Sequence, residues 1–397
     1  MRRNRSFVIL WAGQLTSQIG TQISALAVPL LILGKTHSAA LAGVVSAVSM
    51  LPYLFGPIAG VLSDRWDRKR VLALTDVGRT VALGSIAVAI WLGRLTIPQI
   101  FVAVVAERAL ATLYSSARMA SIPQIVARDE LRVAAAMDRF SAEASALSGG
   151  PLGGLLYGAG HALPFVADAA TYALRIVSLA FVHEPLQPET TSRRRNLLAD
   201  LVEGLAWFWR QPVIRATSLA LAAYNPVYVA STLLLILLAR RLGASPPEIG
   251  LVFALRAAGG LIGSALAPRV VRLVELGPLF VVTLFVASLV FLGLAAADSP
   301  VVLGLLAGGL VTIDAAALVG VVGFRLALVP PELQGRVNSV FVSVETAALP
   351  LGALAVGTVS QAWGPRAAAL SCAAWMLIVT IAALAYPSLR SARHLTS

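Results

Sequence analysis

With 397 residues, of which 58% are hydrophobic and only 13% charged, the chain has the composition of a membrane protein rather than of a soluble one with two or three domains. The net charge of +12 would suit an anionic partner such as nucleic acid, but the basic residues gather in alternate loops between apolar runs, so the charge reads as topology. A single cysteine, Cys372, lies in an apolar run and excludes an intrachain disulfide or a thiolate metal cluster.

Helical spans are expected, because in lipid every backbone donor and acceptor must be satisfied within the segment; the alternating pattern of a membrane barrel is not seen. The first span, 7–34, follows Met1-Arg2-Arg3-Asn4-Arg5. This start is similar to a signal peptide, but Gln14, Thr16, Ser17, Gln18, Thr21 and Gln22 interrupt the run and no clean cleavage site follows. Gln14, Gln18 and Gln22 recur at i, i+4 and form a polar stripe on one face.

The second span, 39–63, and the third, 71–93, flank a tight charged loop, Gly60 to Arg70, at one membrane face. Spans follow at 97–122, 133–158 and 162–182. A polar centre, 183–212, holds Arg193-Arg194-Arg195. After Asn196, a plain N-cap, Leu197, Leu198, Leu201, Val202, Leu205, Phe208 and Trp209 recur at helical spacing, which predicts an amphipathic helix on the inner leaflet that tethers two halves. Six more spans occupy 213–240, 246–271, 276–297, 300–328, 336–361 and 365–387. The expected organisation is a bundle at 1–183, a linker at 184–212 and a second bundle at 213–397.

Of the 31 Lys and Arg residues, this threading puts 22 on one side, five on the other (Lys35, Arg94, Arg240, Arg241, Arg366) and four within spans. That bias places both termini in the cytoplasm of a cytoplasmic (inner) membrane. The halves also repeat: Glu107, Arg118 and Pro123 have counterparts 207 residues later in Asp314, Arg325 and Pro330. Duplication of this kind marks a transporter built from two six-helix halves.

The loop matches Gly-x-x-x-Asp-Arg-x-x-Arg-Arg/Lys at Gly60, Asp64, Arg65, Arg68 and Lys69, and with the repeat it resembles the signature of the major facilitator superfamily. The resemblance implies an all-α membrane protein with twelve transmembrane helices in two pseudo-symmetric bundles. It also implies a conformational latch made of Gly60, Asp64, Arg65, Arg68, Lys69 and Arg118, in which the glycine admits helix eleven and the aspartate faces that helix's N-terminal dipole. Trp11-Ala12-Gly13-Gln14 with Ser17 and Gly20, Gly56-Pro57, Arg118 to Pro123, Glu203-Gly204, Arg325 to Pro330 and Gly335-Arg336-Val337-Asn338 are similar to the macrolide-efflux and enterobactin-exporter branch, whose members are proton-driven exporters. Gly150, Pro151 and Gly154 partly match an antiporter motif, Gly-Pro-x-x-Gly-Gly. A drug-antiporter motif, Arg-x-x-Gln-Gly, matches only at Arg108, with Ala111 and Thr112 in place of its Gln and Gly.

Ionisable groups at mid-span are costly and point to function. One or more of Glu107, Glu143, Asp314 and Glu345 is expected to carry the coupling proton, the alternative for each being a structural ion pair, and two bases, Arg108 and Arg256, oppose them there. An acid without a cationic partner in a low-dielectric cavity can exchange protons near neutral pH. Glu107 and Arg108, about 100° apart on a helix, need not pair. Asp76, Arg79 and Arg118 read as an extension of the loop's charges, whereas Asp168 and Arg175, seven residues apart on one face of span six, could serve either that network or substrate, the structural reading being preferred.

First helices of the two halves line the central cavity in this fold. Gln14, Gln18, Gln22, Arg108, Tyr224, Asn225, Tyr228 and Arg256 are therefore the expected substrate contacts. The function expected is proton-coupled efflux of small amphipathic organic molecules by a monomer in contact with membrane lipids. No metal, no cofactor, no nucleic acid and no enzymatic constellation is expected; the four histidines lie near loops or the tail. The rivals are proton-coupled uptake, and a non-transporting receptor or scaffold.

Overall fold

The structure, a computed structural model, describes residues 5–127, 130–182, 186–187, 197–330 and 333–386. These residues are helical almost throughout: α1 (Arg5–Thr36), α2 (Ala39–Val48), a 3₁₀ turn (Leu51–Phe55), α3 (Gly56–Arg65), α4 (Arg68–Trp91), α5 (Ile97–Ile125), α6 (Leu131–Ala159) and α7 (Leu163–Ala180) in the first half. The second half has α8 (Leu197–Arg210), α9 (Pro212–Arg241), α10 (Pro246–Leu273), α11 (Leu276–Ala296), α12 (Pro300–Leu328), α13 (Gln334–Thr346), α14 (Leu349–Trp363) and α15 (Pro365–Ala385).

Ten of these elements are long and apolar enough to cross a membrane, α13 and α14 counting together. The broken run α2–α3 and the charge-bearing α6 fill the two remaining places, so the described residues supply twelve spans at the expected positions. The breaks have local causes. Pro52 and Pro57 interrupt α2–α3 and Pro350 follows the α13–α14 junction, since proline supplies no N–H and disfavours helix in the residue before it.

Helix ends are set by side chains. Thr96, Ser299 and Asp67 accept from the backbone N–H groups of Gln99, Val302 and Arg70 and cap α5, α12 and α4. The helices α4 and α9 end alike. Gly93 and Gly243 take positive φ, and the following Arg94 and Ala244 donate back to the Ala89 and Ala239 carbonyls, closing a Schellman turn at each.

Two compact units emerge. One comprises Met1–Ser38, Val48–Thr191 and Ser245–Ala254, and the other Ala39–Ala47, Ser192–Ala244 and Leu255–Ser397. The start of α10 thus packs with the first unit and α2 with the second.

Within the first unit Gly250 of α10 meets Gly150, Pro151 and Gly154 of α6 backbone to backbone. Within the second, a Cβ on Gly43 of α2 would lie 2.6 Å from the Ala353 carbonyl and 2.8 Å from Gly357 Cα. Gly43 and Gly250, and likewise Gly150 and Gly357, are 207 residues apart in sequence, so the repeat extends to the helix crossings.

The helix α8 belongs to the second unit. Phe208 is buried with Ile214, Val329, Val337, Val340 and Phe341, while Leu205 and Trp209 stay exposed, so part of its apolar face is taken by protein rather than by a leaflet. Asn196 and Arg193 to Arg195 lie outside the described residues.

Candidate functional site

In the first unit α1, α4, α5 and α7 enclose a charged network at mid-span. Arg79 donates to Glu107 Oε1 from Nη2 at 2.6 Å and from Nε at 3.1 Å. Arg79 also donates to the Tyr172 hydroxyl at 2.7 Å, which in turn donates to Glu107 Oε1 at 3.2 Å and shares a hydrogen bond with Thr21. Arg108 Nε approaches Glu107 Oε2 to 3.4 Å. Helical spacing does not oblige Glu107 and Arg108 to pair; here they meet because both side chains turn toward the same interior.

Arg79 likewise leaves the loop's charge network to which the sequence assigned it and becomes the main partner of Glu107. A second buried pair joins Arg175 of α7 to both oxygens of Asp76 on α4, with Arg175 also donating to Gln14 and lying 3.7 Å from the centre of the Tyr114 ring.

Three of the four acids singled out by sequence hold a base. Glu107 has Arg79 and Arg108, Glu143 has Arg139 one turn away at 2.5 Å, and Glu345 has Arg325. Among the described residues Asp314 closes no ion pair; it lies beside Tyr224 and Arg256. Arg256 donates to Thr232 at 3.1 Å and lies over the ring of Tyr228, which stacks on Tyr224 at 5.5 Å. The Tyr224 hydroxyl is buried facing Asp314, without a hydrogen bond of normal length among the described residues. Asn225 donates to the Glu345 carbonyl. The described part of the second unit therefore brings Tyr224, Tyr228, Arg256 and Asp314 into one cluster.

In the α1 stripe, Gln14 is engaged by Arg175, Gln18 Oε1 is buried without a partner and Gln22 packs on Gly149.

The repeat is carried further than its single residues. Arg118 pairs with Asp138, and Arg325 with Glu345; each partner lies twenty residues on, so the whole ion pair recurs at a spacing of 207. Sequence inspection matched the two arginines but missed Asp138, although its spacing from Glu345 was there to be counted.

At the loop, Asp67 caps α4. Arg68 donates to the Ala120 and Leu186 carbonyls and Lys69 to the Val182 carbonyl, so both cations sit at carbonyl-rich C-terminal ends, where the helix dipole favours them. A Cβ at Gly60 would meet none of the described atoms within 4 Å, and Arg65 is exposed. The side chain of Asp64 lies outside the described residues. Among the described residues no group of three His, Cys, Asp or Glu is placed to hold a metal ion.

Residues 2–396 match the family model described as transmembrane secretion effector, a branch of the major facilitator superfamily. The chain belongs to that family. It is a multi-pass membrane transporter, not an enzyme. It is 29% identical to the multidrug efflux pump Tap of Mycobacterium tuberculosis, over 98% of this chain and 94% of that one. It is 25% identical to macrolide efflux protein A of Streptococcus pyogenes, over 87% of each. Among solved structures it superposes on the nucleoside transporter NupG with a TM-score of 0.78 at 12% identity, covering 96% of this chain and 98% of the other. A bacterial homologue of the lysosomal transporter Spinster, captured inward-facing and unoccupied, gives 0.77 at 14% identity with full coverage of both chains. At these identities the superpositions establish the fold of this transporter.

Proposed function

We propose that this transporter exports small amphipathic organic molecules from the cytoplasm in exchange for protons. It would act as a monomer in the cytoplasmic membrane, with both termini inside and the segments 1–183 and 213–397 rocking about the 184–212 linker. The observation that carries the reading is Asp314: a mid-span acid with no ion pair, set beside Arg256 and Tyr224. When Asp314 is ionised it attracts Arg256; when it takes a proton that attraction ends, and Arg256 with its stacked tyrosines is released to the cavity. A binding preference would then follow the proton.

The cluster has the composition of a site for an amphipathic guest, with two aromatic faces and a cation. A separate apolar cavity of about 370 Å³, beside Pro226, Gly352 and Trp375, lies in the same unit and is lined by none of Tyr224, Tyr228, Arg256 and Asp314. The names of the two relatives, a multidrug and a macrolide efflux protein, support export of bulky organic cargo. Glu107, Glu143 and Glu345 serve in this reading as structural partners of their bases.

Everted membrane vesicles with an acidified lumen test the proposal. A labelled macrolide should accumulate in vesicles carrying the wild-type chain and not in those carrying Asp314→Asn. Undiminished accumulation with Asp314→Asn would overturn the assignment, and accumulation only in right-side-out vesicles would indicate uptake. The latch reading of Gly60 and Asp64 makes its own demand: Asp64→Asn should insert into the membrane normally and lose transport.

A further inference from the structure

Asp168 of α7 is an acid that the network around Glu107 leaves incomplete. It is 1% exposed, and its Oδ2 has no hydrogen-bond partner. The site is shaped around it. Gly20 of α1 sits so close that an added Cβ would fall 2.5 Å from Asp168 Oδ1 and 2.7 Å from Thr171 Oγ1, so only a residue without a side chain admits the carboxyl group there. Thr171 reaches Oδ1 at 3.5 Å but directs its shorter bond, 2.7 Å, to the Asp168 carbonyl.

Every charged or titratable neighbour has another commitment. From α4, Arg79 is held by Glu107 and Asp76 by Arg175; from α5, Glu107 is shared by Arg79 and Arg108. On α7 itself, the Tyr172 hydroxyl donates to Glu107 and Arg175 turns to Asp76. Beside α1 lie Thr21, engaged by Tyr172, and the uncharged Ser24. The acid of α6, Glu143, points to Arg139.

An ionised carboxylate with one oxygen unsatisfied in this interior is strongly unfavourable, and such a group neutralises by taking a proton or recruits a cation. A cation whose charge reaches Asp168 is Arg79, already bound to Glu107 and Tyr172.

We infer that Asp168 is a second proton-binding group of the transporter: neutral while Arg79 pairs with Glu107, and ionised when Arg79 is shared between the two acids. On release the Oδ2–H bond breaks, the proton leaves to water and the new negative charge faces Arg79. No other bond changes. The inference rests on the proton-coupled reading but places a second, independent proton in the first unit, apart from Asp314.

The test needs no substrate. The purified full-length chain in lipid nanodiscs is titrated between acid and alkaline pH by infrared difference spectroscopy, which follows the C=O stretch of neutral carboxylic acids. Wild type should show two such bands that disappear at alkaline pH. Asp168→Asn should lack one and keep the other, and Asp314→Asn the reverse.

Should Asp168→Asn fail to fold, Asp168→Glu decides: a band at a moved frequency supports the assignment, and an unmoved pair of bands overturns it. A folded Asp168→Asn with both bands intact overturns it too. If Asp314→Asn changes nothing while Asp168→Asn removes a band, the reading of Asp314 falls and this one stands.

Discussion

Glu107 and Asp314 occupy equivalent places in the 207-residue repeat, yet Glu107 is bound by Arg79, Arg108 and Tyr172, whereas Asp314 lies beside Tyr224 and Arg256 with no ion pair. The reason lies in the helices around each. In the first half α4 supplies Asp76 and Arg79, and α7 supplies Asp168 and Arg175. In the second half α11 carries no charged residue from Leu276 to Ala296, and α15 carries only Arg366, next to its first residue. Where the two halves agree, at Arg118–Asp138 and Arg325–Glu345, the contact joins the same pair of helices within each unit. Duplication thus preserved the scaffold pairs, while the mid-span charges diverged into an ion-paired network on one side and, among the described residues, a cluster without an ion pair on the other.

That contrast predicts a ranking of stabilities, measured as thermal unfolding of the purified protein in one detergent. Glu107→Gln, which strands the buried Arg79 and removes the partner of the half-buried Arg108, should cost about 3–5 kcal/mol. Asp314→Asn should cost less than about 1 kcal/mol while abolishing proton-driven transport. Equal losses for the two would erase the distinction between the halves.

Next come the repeated pairs: Arg118→Ala and Arg325→Ala should each cost about 2 kcal/mol. Double-mutant cycles with Asp138→Ala and Glu345→Ala should return matching coupling energies, and a large mismatch would show that the repeat is geometric only.

Gly43→Val and Gly250→Val force a side chain against backbone and should each cost about 1–3 kcal/mol. Smallest of all, Gly60→Ala, with open space around it, should change stability by less than about 0.5 kcal/mol. A loss of transport in Gly60→Ala at unchanged stability would favour the latch reading over a role in packing.

Sequence alone determined the twelve spans, because membrane thickness and backbone satisfaction dictate their length and apolarity. It also determined the repeat and the family, because Gly60 to Lys69 and the 207-residue spacing are linear patterns. What sequence could not decide is who meets whom. Four mid-span acids looked alike. Only the packing of α4 and α5 against α1 and α7 gave Glu107 its arginines, took Arg79 away from the loop and left Asp168, whose role the sequence held open, with an unsatisfied oxygen. Ion pairing depends on which helix faces close in three dimensions, and the first half closes around charges supplied by helices far apart in the chain. In the second half, built on the same linear plan, α11 and α15 bring no charge to mid-span, and among the described residues Asp314 closes no ion pair.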